Sequence, residues 1–402
     1  MSYHSWGIVV VAAWAISATF VTNPAAAAQP EPSADPGAST TPPPFTYKIG
    51  GRIQWDTDSY DGALSSAGTG DRRFNTLLRR ARIETSGTIL EDFGYVLDVN
   101  INDKSADRSA EIHAAGLKYT GWERVDVFVG RDKEPFGLEE LASSKAISSI
   151  ERNYFTDASD VDAQPHFGVR VDGKGGPVGW SIGAFSPDGN PKTSGGSDRI
   201  ALTGRVFGAP IADGERVLHL GAAFTDRRLD DPELLRGFSV KVAKTGDAIA
   251  ARQIVADEDR ALGLELLYLQ GPWSLQAEAF QRNLQGAGGG PDGEVRHFYL
   301  QGTWTITGES RGYSAQRGIP GQVNPAGRRG AVELVAKYDN LAFDVDGEPE
   351  QNVSGYLIGA NWYVNRYVKL MLNVIRVTSD DVIASGLDDD ATVISTRLQV
   401  AI

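Results

Sequence analysis

The chain alternates apolar and polar residues with a period of two along most of its length after residue 45. In FTYKIGGRIQWD, residues 45–56, every second residue is apolar, aromatic or glycine, and those between are mostly polar or charged. A strand with this period presents the two sets on opposite faces. The pattern fits a soluble sandwich with its apolar face inward. It equally fits a membrane barrel with its apolar face toward lipid and its charges toward a wet lumen.

The alternation recurs in many segments, each about ten residues long, which is the length of a strand that crosses a bilayer in a barrel. Glycine, proline and aspartate turns separate these segments. Three of them read GYVLDVNIN (residues 94–102), YVKLMLNV (367–374) and ISTRLQVAI (394–402). Sixteen or seventeen such segments can be counted, which is more than one sandwich domain uses.

Tight and long connections alternate between the segments. The tight ones lie at Glu91-Asp92, Gly271-Pro272 and Asn365-Arg366, and the long ones cover residues 56–73, 131–165, 186–199, 308–329 and 379–390. Short turns on one rim and long loops on the other are typical of outer-membrane barrels. The pattern therefore predicts an all-β fold, a transmembrane antiparallel β-barrel of about 16 strands with lipid outside and water inside.

Aromatic residues lie near the ends of the predicted strands, where membrane barrels carry girdles at the two interfaces. The candidates are Trp55, Tyr119, Trp122, Trp180, Trp273, Trp304, Trp362, Tyr363 and Tyr367. Any one of them alone would fit a soluble core as well. As a set they support a lipid-facing outer surface.

The first 44 residues differ in composition from the rest of the chain. Residues 8–21 form an apolar run that is shorter than the ~20 residues of a membrane-spanning helix, and small residues follow it up to Ala28. This predicts a signal peptide over residues 1–28. Residues 29–44 are rich in proline and serine and predict a flexible periplasmic leader. The barrel domain is then expected over residues 45–402.

Composition narrows the chemistry. The 402 residues carry a formal net charge of −13 and no cysteine. The acidic balance argues against nucleic-acid binding, and the lack of cysteine excludes disulfides and thiolate metal sites. The histidines show no metal-ligand spacing, and the motifs of serine hydrolases, P-loop enzymes and zinc proteases are missing from the sequence. No catalytic residue, metal site or cofactor is predicted.

Three parts of the sequence resemble the phosphate-selective porin O and P family of outer-membrane channels. They are KIGGRIQWD with LLRRARIETSGTILEDFGYVLDVNI, then LKYTGWERVDVFVGRDKEPFGLEELASSKAISSIERNYF, and finally the C-terminal third with TITGES, AVELVAKYDNL, GANWYVNRYVKLMLNVIRV and TRLQVAI. The resemblance implies a sixteen-stranded barrel in the bacterial outer membrane, usually a homotrimer, in contact with lipid and lipopolysaccharide. It also implies that a third long loop folds into the lumen as a constriction and that small anions pass.

The resemblance places the constriction in residues 131–165. Leu138, Leu141, Ala142 and Lys145 have near-helical spacing, so part of this loop is expected to be a short helix. An anion must exchange its hydration shell for donors at a narrow point, and guanidinium, ammonium and hydroxyl groups supply them. By motif position, the candidate groups for anion binding are Arg52, Arg80, Ser143, Ser144, Lys145 and Arg152.

Two positions depart from the phosphate-selective members of the family. Glu140 replaces a lysine, and His113 replaces an aspartate. The exchange at Glu140 is expected to shift the local charge toward negative and to weaken phosphate specificity. His113 is either a switch that titrates near pH 6.5 or a plain residue of the wall.

Two further expectations concern charged residues. In LLRRARIE, Arg80, Arg82 and Glu84 share one parity and Arg79 has the other. Arg79 is therefore expected above the apolar band, because a lipid-facing arginine at the midplane costs about 2–4 kcal/mol. The aspartates at 380–381 and 388–390 either bind cations that bridge lipopolysaccharide or form a solvated loop.

The sequence thus predicts an outer-membrane porin for passive diffusion of small anions, phosphate or polyphosphate among them. A general hydrophilic or weakly selective porin is the alternative within the class, suggested by Glu139, Glu140 and the acidic total. An outer-membrane barrel enzyme or an adhesin is the alternative from another class.

Overall fold

The computed structural model of the protein describes residues 45–65, 72–104, 107–158, 165–173, 176–186, 200–214, 216–228, 235–380 and 390–402. The predicted signal peptide and leader lie outside the described residues, and so do Asp381, Asp388 and Asp389 of the acidic loop. In the described part of the chain no helix is long and apolar enough to cross a membrane.

The described residues are mostly strands. The strands are β1 (Lys48–Tyr60), β2 (Arg73–Ile89), β3 (Phe93–Lys104), β4 (Asp107–Tyr119), β5 (Val125–Asp132), β6 (His166–Gly173), β7 (Val178–Ser186), β8 (Ala201–Asp213), β9 (Arg216–Arg228), β10 (Leu235–Val240), β11 (Ala250–Gln270), β12 (Trp273–Gly286), β13 (Gly293–Thr305), β14 (Arg311–Ser314), β15 (Ile319–Val323), β16 (Ala331–Val345), β17 (Gln351–Tyr363), β18 (Val368–Ser379) and β19 (Asp390–Ala401). The helices are α1 (Leu138–Leu141) and α2 (Tyr154–Ala158), with 3-10 turns at Gly62–Leu64 and Ala287–Gly289.

Sixteen of the described strands form one closed antiparallel wall, namely β1–β9, β11–β13 and β16–β19. Closure comes from β1, which pairs with β2 on one side and with β19 on the other. Strand β10 pairs only with the end of β11, and β14 and β15 form a separate hairpin. The predicted all-β, sixteen-stranded barrel is confirmed.

The first strand shows how the sequence pattern becomes a membrane wall. Arg52, Gln54 and Asp56 of β1 are buried inside the barrel, whereas Ile53 and Trp55 are 39% and 46% exposed on its outside. Polar groups inside and apolar groups outside are the reverse of a soluble domain. The opening alternation is therefore that of a membrane-spanning barrel.

The two ends of the barrel are named here by their connections. The turn rim carries the connections at residues 90–92, 271–272 and 364–367 together with Ile402, and the loop rim is the opposite end. Trp273 and Trp304 lie opposite each other on β12 and β13 at the turn rim and stack with centroids 4.9 Å apart. Of the predicted girdle, Trp55, Trp122, Trp180, Trp273, Trp304, Trp362 and Tyr367 are exposed.

Tyr363 was expected in the outer girdle, and this is wrong. Its side chain is 2% exposed and donates a hydrogen bond to Glu333 inside the barrel at 2.9 Å. The neighbouring Trp362 takes the outward position. Adjacent residues of a strand cannot both face lipid, so the pair Trp362-Tyr363 divides between the two faces.

One long connection lies on the other rim from the one expected. Residues 306–330 join β13 to β16 at the turn rim, not among the long loops. The loop rim has another long connection at residues 229–249, which contains β10. The sequence analysis did not single it out. Loop length does not fix the rim. Each strand that crosses the barrel moves the chain from one rim to the other, so the number of crossing strands before a loop decides its rim. Strand β10 does not cross and is not counted.

Part of the lumen near the loop rim is a dry apolar core. Phe238, Val240 and Ile249 of the 235–249 segment pack against inward residues such as Phe343 and Val393. The lumen is therefore filled at this level along β11–β13 and β16–β19.

Candidate functional site

The constriction loop comprises residues 133–165, of which 133–158 and 165 are described. It leaves β5 and folds into the lumen, as predicted, and α1 is the short helix expected from the sequence. Leu138, Ala142 and Phe155 are at most 1% exposed. A loop buried to this extent needs partners for its backbone groups.

Inward side chains of the far wall supply those partners. Asn373 accepts a hydrogen bond from the Ile150 N–H at 2.7 Å, and Asn361 donates to the Ser148 carbonyl at 2.8 Å. Lys369 donates to the carbonyls of Lys145 and Ile147 at 3.1 and 3.0 Å. Strands β17 and β18 thus hold the part of the constriction loop at residues 145–150.

An ion-pair network strengthens the same attachment. Arg397 of β19 makes two hydrogen bonds of 2.7 Å to Asp56 and a third of 2.7 Å to Glu151 of the loop. The neighbouring Arg79 holds Glu151 at 2.8 and 2.9 Å. Arg79 and Arg397 keep the pKa of Glu151 well below its usual range although burial opposes them. This carboxylate stays ionised and fixes the loop.

The waist cluster brings four of the predicted residues together, Arg52, Ser143, Ser144 and Lys145, around Glu84. Arg52 donates to Ser144 Oγ at 2.6 Å and Ser143 Oγ at 3.3 Å, and it pairs with the Glu84 carboxylate. Lys145 Nζ lies 2.8 Å from the other oxygen of Glu84. Burial and the nearby Arg52 lower the pKa of Lys145 to about 8. Two cations thus face one carboxylate where the loop meets β1 and β2.

A second group forms within the loop from Lys133, Glu140 and Arg152. The Glu140 carboxylate lies 2.5 Å from Lys133 Nζ and 3.2 Å from Arg152 Nε. Arg152 also donates to the carbonyls of Glu139 and Ala142 at 3.1 and 2.9 Å, where it closes the end of α1. Burial, together with Arg152, lowers the pKa of Lys133 to about 7.

The shift toward negative charge expected at Glu140 is partly compensated by these two cations. The Glu140 side chain is 4% exposed and is shared by two cations, so the group as a whole is positive below pH 7. Lys133, which directly follows β5, supplies the charge that the lysine-to-glutamate departure removes. In the sequence, this pairing was indicated only by the position of Lys133 in the same loop, seven residues before Glu140.

A β-bulge places two adjacent arginines inside the barrel. Gln54 pairs with Arg80 and Trp55 with Leu78, so Arg79 is the extra residue of β2. Arg80 donates to Gln54 at 3.0 Å, and Arg79 reaches Glu151 inside the lumen. The expectation that Arg79 lies above the apolar band is wrong, because a bulge reverses the parity of a strand at that point.

His113 lies at a second bulge, between the pairs Asp98–Ala114 and Val99–Ile112 of β3 and β4. Its side chain is half-buried, and the positive charges of Arg82 and Lys133 act on it. A role of His113 in selectivity stays a prediction. Of the late-loop aspartates, which either bind cations or form a solvated loop, only Asp380 and Asp390 are described, and Asp390 pairs with Arg376.

The wall opposite the attachment carries charges that the sequence reasoning did not single out. Arg82 donates to Asn100 Oδ1 at 2.7 Å, and the Asp98 carboxylate acts on it electrostatically. Lys118 pairs with Asp126 at 2.8 Å and remains 32% exposed. The shared parity of Arg80, Arg82 and Glu84 was the available signal for two of the missed residues, Arg82 and Glu84. Within the described residues no group of three histidine or carboxylate side chains could hold a metal ion.

Residues 47–402 match the family described as phosphate-selective porin O and P. Porin O of Pseudomonas aeruginosa is 29% identical over 397 residues, which cover 90% of this chain and 89% of that protein.

Two solved structures share the architecture. The anion-selective porin from Comamonas acidovorans has a TM-score of 0.59 at 14% identity, covering 89% of this chain and 100% of that one. In-vitro folded OmpT of Vibrio cholerae in its trimer form has a TM-score of 0.56 at 10% identity, covering 89% and 99%. At these identities the two structures establish the shared fold alone.

Proposed function

The chain belongs to the phosphate-selective porin O and P family of the bacterial outer membrane, and on that premise we propose that its lumen conducts small anions by passive diffusion. One observation carries the proposal. Each of the two charged groups at the constriction sets two cations against one carboxylate, Arg52 and Lys145 against Glu84, and Lys133 and Arg152 against Glu140. Rings of arginine and lysine are the usual lining of anion pores.

Two further arginines add to this positive charge. Arg80 and Arg82 reach the lumen and hydrogen-bond to the neutral amides of Gln54 and Asn100. The Asp98 carboxylate beside Arg82 offsets part of their charge. An anion at this level meets a net positive field inside a narrow, partly dehydrated space, where Coulomb interactions are stronger than in bulk water.

The hydroxyl groups of Ser143 and Ser144 give the site direction. Both oxygens accept a hydrogen bond from Arg52. Ser143 is half-buried, so its O–H can still donate to a passing anion, whereas Ser144 is 4% exposed and positions Arg52,. Hydroxyls replace water molecules of the hydration shell without adding charge. Binding therefore stays weak enough for release, which conduction requires.

A broad anion preference follows better from this arrangement than strict phosphate specificity. The constriction carries a carboxylate at Glu140 and a histidine at His113 where phosphate-selective members of the family carry lysine and aspartate. Lys133, Arg152 and Glu140 together carry less positive charge than they would with a lysine at position 140. Chloride and other small anions are expected to pass together with phosphate. A general hydrophilic pore is the outcome expected if these charges do not reach the solute path.

The remaining assignments complete the proposal. Residues 1–28 direct export, residues 29–44 form a periplasmic leader, and the barrel assembles as a homotrimer among outer-membrane lipid and lipopolysaccharide. The trimer form of the structurally similar OmpT supports the assembly. The turn rim faces the periplasm, because periplasmic connections are the short ones in such barrels.

The zero-current potential of single purified channels in a potassium chloride gradient tests the function. We expect the sign of an anion-preferring pore, and a smaller chloride current when phosphate is added. A potassium preference would refute the proposal. A barrel that conducts no ions but hydrolyses lipids or peptides would favour the enzyme alternative.

A further inference from the structure

The connection between β13 and β16, residues 306–330, contacts both faces of the barrel wall. Its middle part, the hairpin of β14 and β15, lies in the lumen, where Ile319 is buried in a cluster with α1 of the constriction loop. Its last part, residues 324–330, reaches the outside and is called the outer arm here. The outward-facing Trp362 donates from its indole nitrogen to the Arg329 carbonyl at 3.0 Å. The outer arm therefore lies on the lipid-facing side of the turn rim.

The outer arm is held against the turn between β17 and β18. The side-chain amide of Gln322, just before the arm, donates to the Arg366 carbonyl and to Asn324 Oδ1, both at 3.3 Å. At the end of the arm, Gly330 has a φ of 78°, and a β-carbon there would lie 2.3 Å from the Tyr363 carbonyl oxygen. Glycine thus lets the arm pass close to the wall.

The turn that receives the arm has a fixed conformation of its own. The Asn365 side chain accepts hydrogen bonds from the N–H groups of Tyr367 and Val368 at 2.8 and 3.0 Å. The guanidinium of Arg366 lies over the Tyr367 ring, 4.5 Å from its centroid, which is a cation–π contact. Tyr367 is 41% exposed. The stacking therefore keeps the Arg366 charge beside the outer aromatic girdle.

Three arginines are brought together in this way, and Arg328, Arg329 and Arg366 are called the rim arginines here. All three are exposed, and within the part of the chain that the structure describes none of their guanidinium groups makes a hydrogen bond or an ion pair. Glu309 adds one negative charge nearby, because its carboxylate accepts a hydrogen bond from the Ala326 N–H at 3.2 Å. Three positive charges against one negative charge leave the patch cationic.

The outer surface next to the rim arginines is apolar. Trp362 pairs with Val332 on one side and with Leu370 on the other. The Ile306 N–H donates to the Val332 carbonyl at 2.9 Å, which places Ile306 in the same region. Ile306, Trp362 and Leu370 are 47%, 44% and 39% exposed. A cationic rim beside an apolar strip matches the two parts of a phospholipid, the charged headgroup and the acyl chains.

We propose that the rim arginines bind the phosphodiester headgroup of an anionic phospholipid, in the leaflet that meets the turn rim, while its acyl chains lie against Trp362 and Leu370. The inference goes beyond the proposed function, which concerns the lumen. Guanidinium groups bind phosphate through paired hydrogen bonds. Each arginine near the surface adds to the attraction for anionic lipid, whereas a zwitterionic lipid offers no net charge to three arginines.

The test compares phospholipid binding by the unmodified barrel with that of a triple variant. In the rim variant, all three rim arginines are replaced, Arg328→Gln/Arg329→Gln/Arg366→Gln, which removes the charges and keeps polar side chains. Each purified barrel in neutral detergent is titrated with phosphatidylglycerol or with phosphatidylcholine, and bound lipid is counted by native mass spectrometry. Thermal unfolding with and without lipid is followed by circular dichroism.

The control variant removes the same charge from exposed arginines that already have carboxylate partners. It is Arg260→Gln/Arg296→Gln/Arg376→Gln, whose arginines pair with Asp226, Glu350 and Asp390. Both triple variants therefore have the same net charge, so that a general attraction between the protein and anionic lipid weakens equally in the two.

We expect the unmodified barrel and the control variant to prefer phosphatidylglycerol, and the rim variant to bind it about tenfold more weakly. Phosphatidylglycerol should raise the unfolding temperature of the first two and not of the rim variant, because a ligand that binds only the folded state stabilises it. The single variants Arg329→Gln and Arg366→Gln should each show part of the loss.

Three results would overturn the proposal. One is a rim variant that keeps the full preference for phosphatidylglycerol. Another is an equal loss in the two triple variants, which would reduce the effect to net charge. The third is equally strong binding of glycerophosphoglycerol, the same headgroup without acyl chains, which would make the patch a site for a soluble anion. The measurement involves no ion conduction, so its outcome is independent of the proposed function.

Discussion

The two sides of the lumen both carry arginine or lysine side chains, but these side chains have different roles on each side. On the packed side, formed by β11–β13 and β16–β19, Arg282 pairs with Asp259 and Arg397 with Asp56. Those four side chains are at most 3% exposed. On the open side, formed by β2–β6, the side chain of Lys118 is 32% exposed. The side chains of both sides have inward parity on their strands. They differ because the segments that fold into the lumen cover only the packed side.

The difference identifies which lumen charges hold the structure and which serve the solute. Removing a charge from water is costly and is recovered only by close pairing. The cations of the packed side are therefore committed to their partners and to the loop. Those of the open side keep contact with water and can exchange it for an anion. A count of inward arginines would overstate the charge that a solute meets.

The largest effect is expected from breaking the packed side at Arg397. In Arg397→Ala the carboxylates of Asp56 and Glu151 lose their buried partner, which should lower the free energy of unfolding by about 3–5 kcal/mol. The constriction loop should also loosen, with a larger and noisier conductance. Thermal unfolding followed by circular dichroism, together with single-channel recording, measures both.

The exposed pair of Arg376 and Asp390 is the matched control. Arg376→Ala should change the free energy of unfolding by no more than about 1 kcal/mol, because solvent screens surface pairs. Equal effects in the two variants would show that the packed side is not a structural support.

A smaller effect, on transport alone, is expected from Arg82 on the open side. Arg82→Ala should leave thermal unfolding unchanged and reduce the chloride-to-potassium permeability ratio about threefold, because a cation near the solute path is lost. Arg282→Ala on the packed side should do the opposite, with lower stability and unaltered selectivity in the channels that fold. A selectivity change in Arg282→Ala but not in Arg82→Ala would reverse the assignment of the two sides.

The smallest effect is a dependence on pH from the lysines of the constriction. The pKa values of Lys145 and Lys133 are lowered to about 8 and about 7. Both are ammonium groups below these values and lose their charge above them. Anion preference should therefore decrease as the pH rises from about 6 to about 9. Zero-current potentials over this range give the measurement.

Lys145→Arg is the control for this titration, because arginine keeps its charge throughout the range. The variant should remove the upper part of the decrease and leave the part near pH 7 that belongs to Lys133. A profile that is flat in the original protein would contradict the assignment of these lysines to the solute path.

Sequence periodicity predicted the barrel because the two-residue period reports directly which face meets lipid. Parity alone placed Arg52 inside, whereas Arg80 and Lys145 were expected at the lumen from the resemblance to the porin family. It could not locate the bulges at Arg79 and His113, since one extra residue changes parity without leaving a mark in composition. It also could not assign residues 306–330 to a rim, or show that Lys133 and Arg152 share Glu140. Those facts depend on contacts between distant segments.

The wall of the barrel is not equally tall all round. Strands β5 and β6 have 8 residues each, against 13 in the part of β11 that pairs with β9. Eight residues rise about 26 Å along the strand, or about 19 Å when tilted, which is less than the apolar band of about 25 Å that such barrels present. The bilayer must therefore thin where it meets these strands, at a free-energy cost that grows with the mismatch. Copies of the barrel in contact along this low wall would share one thinned patch of lipid in place of two.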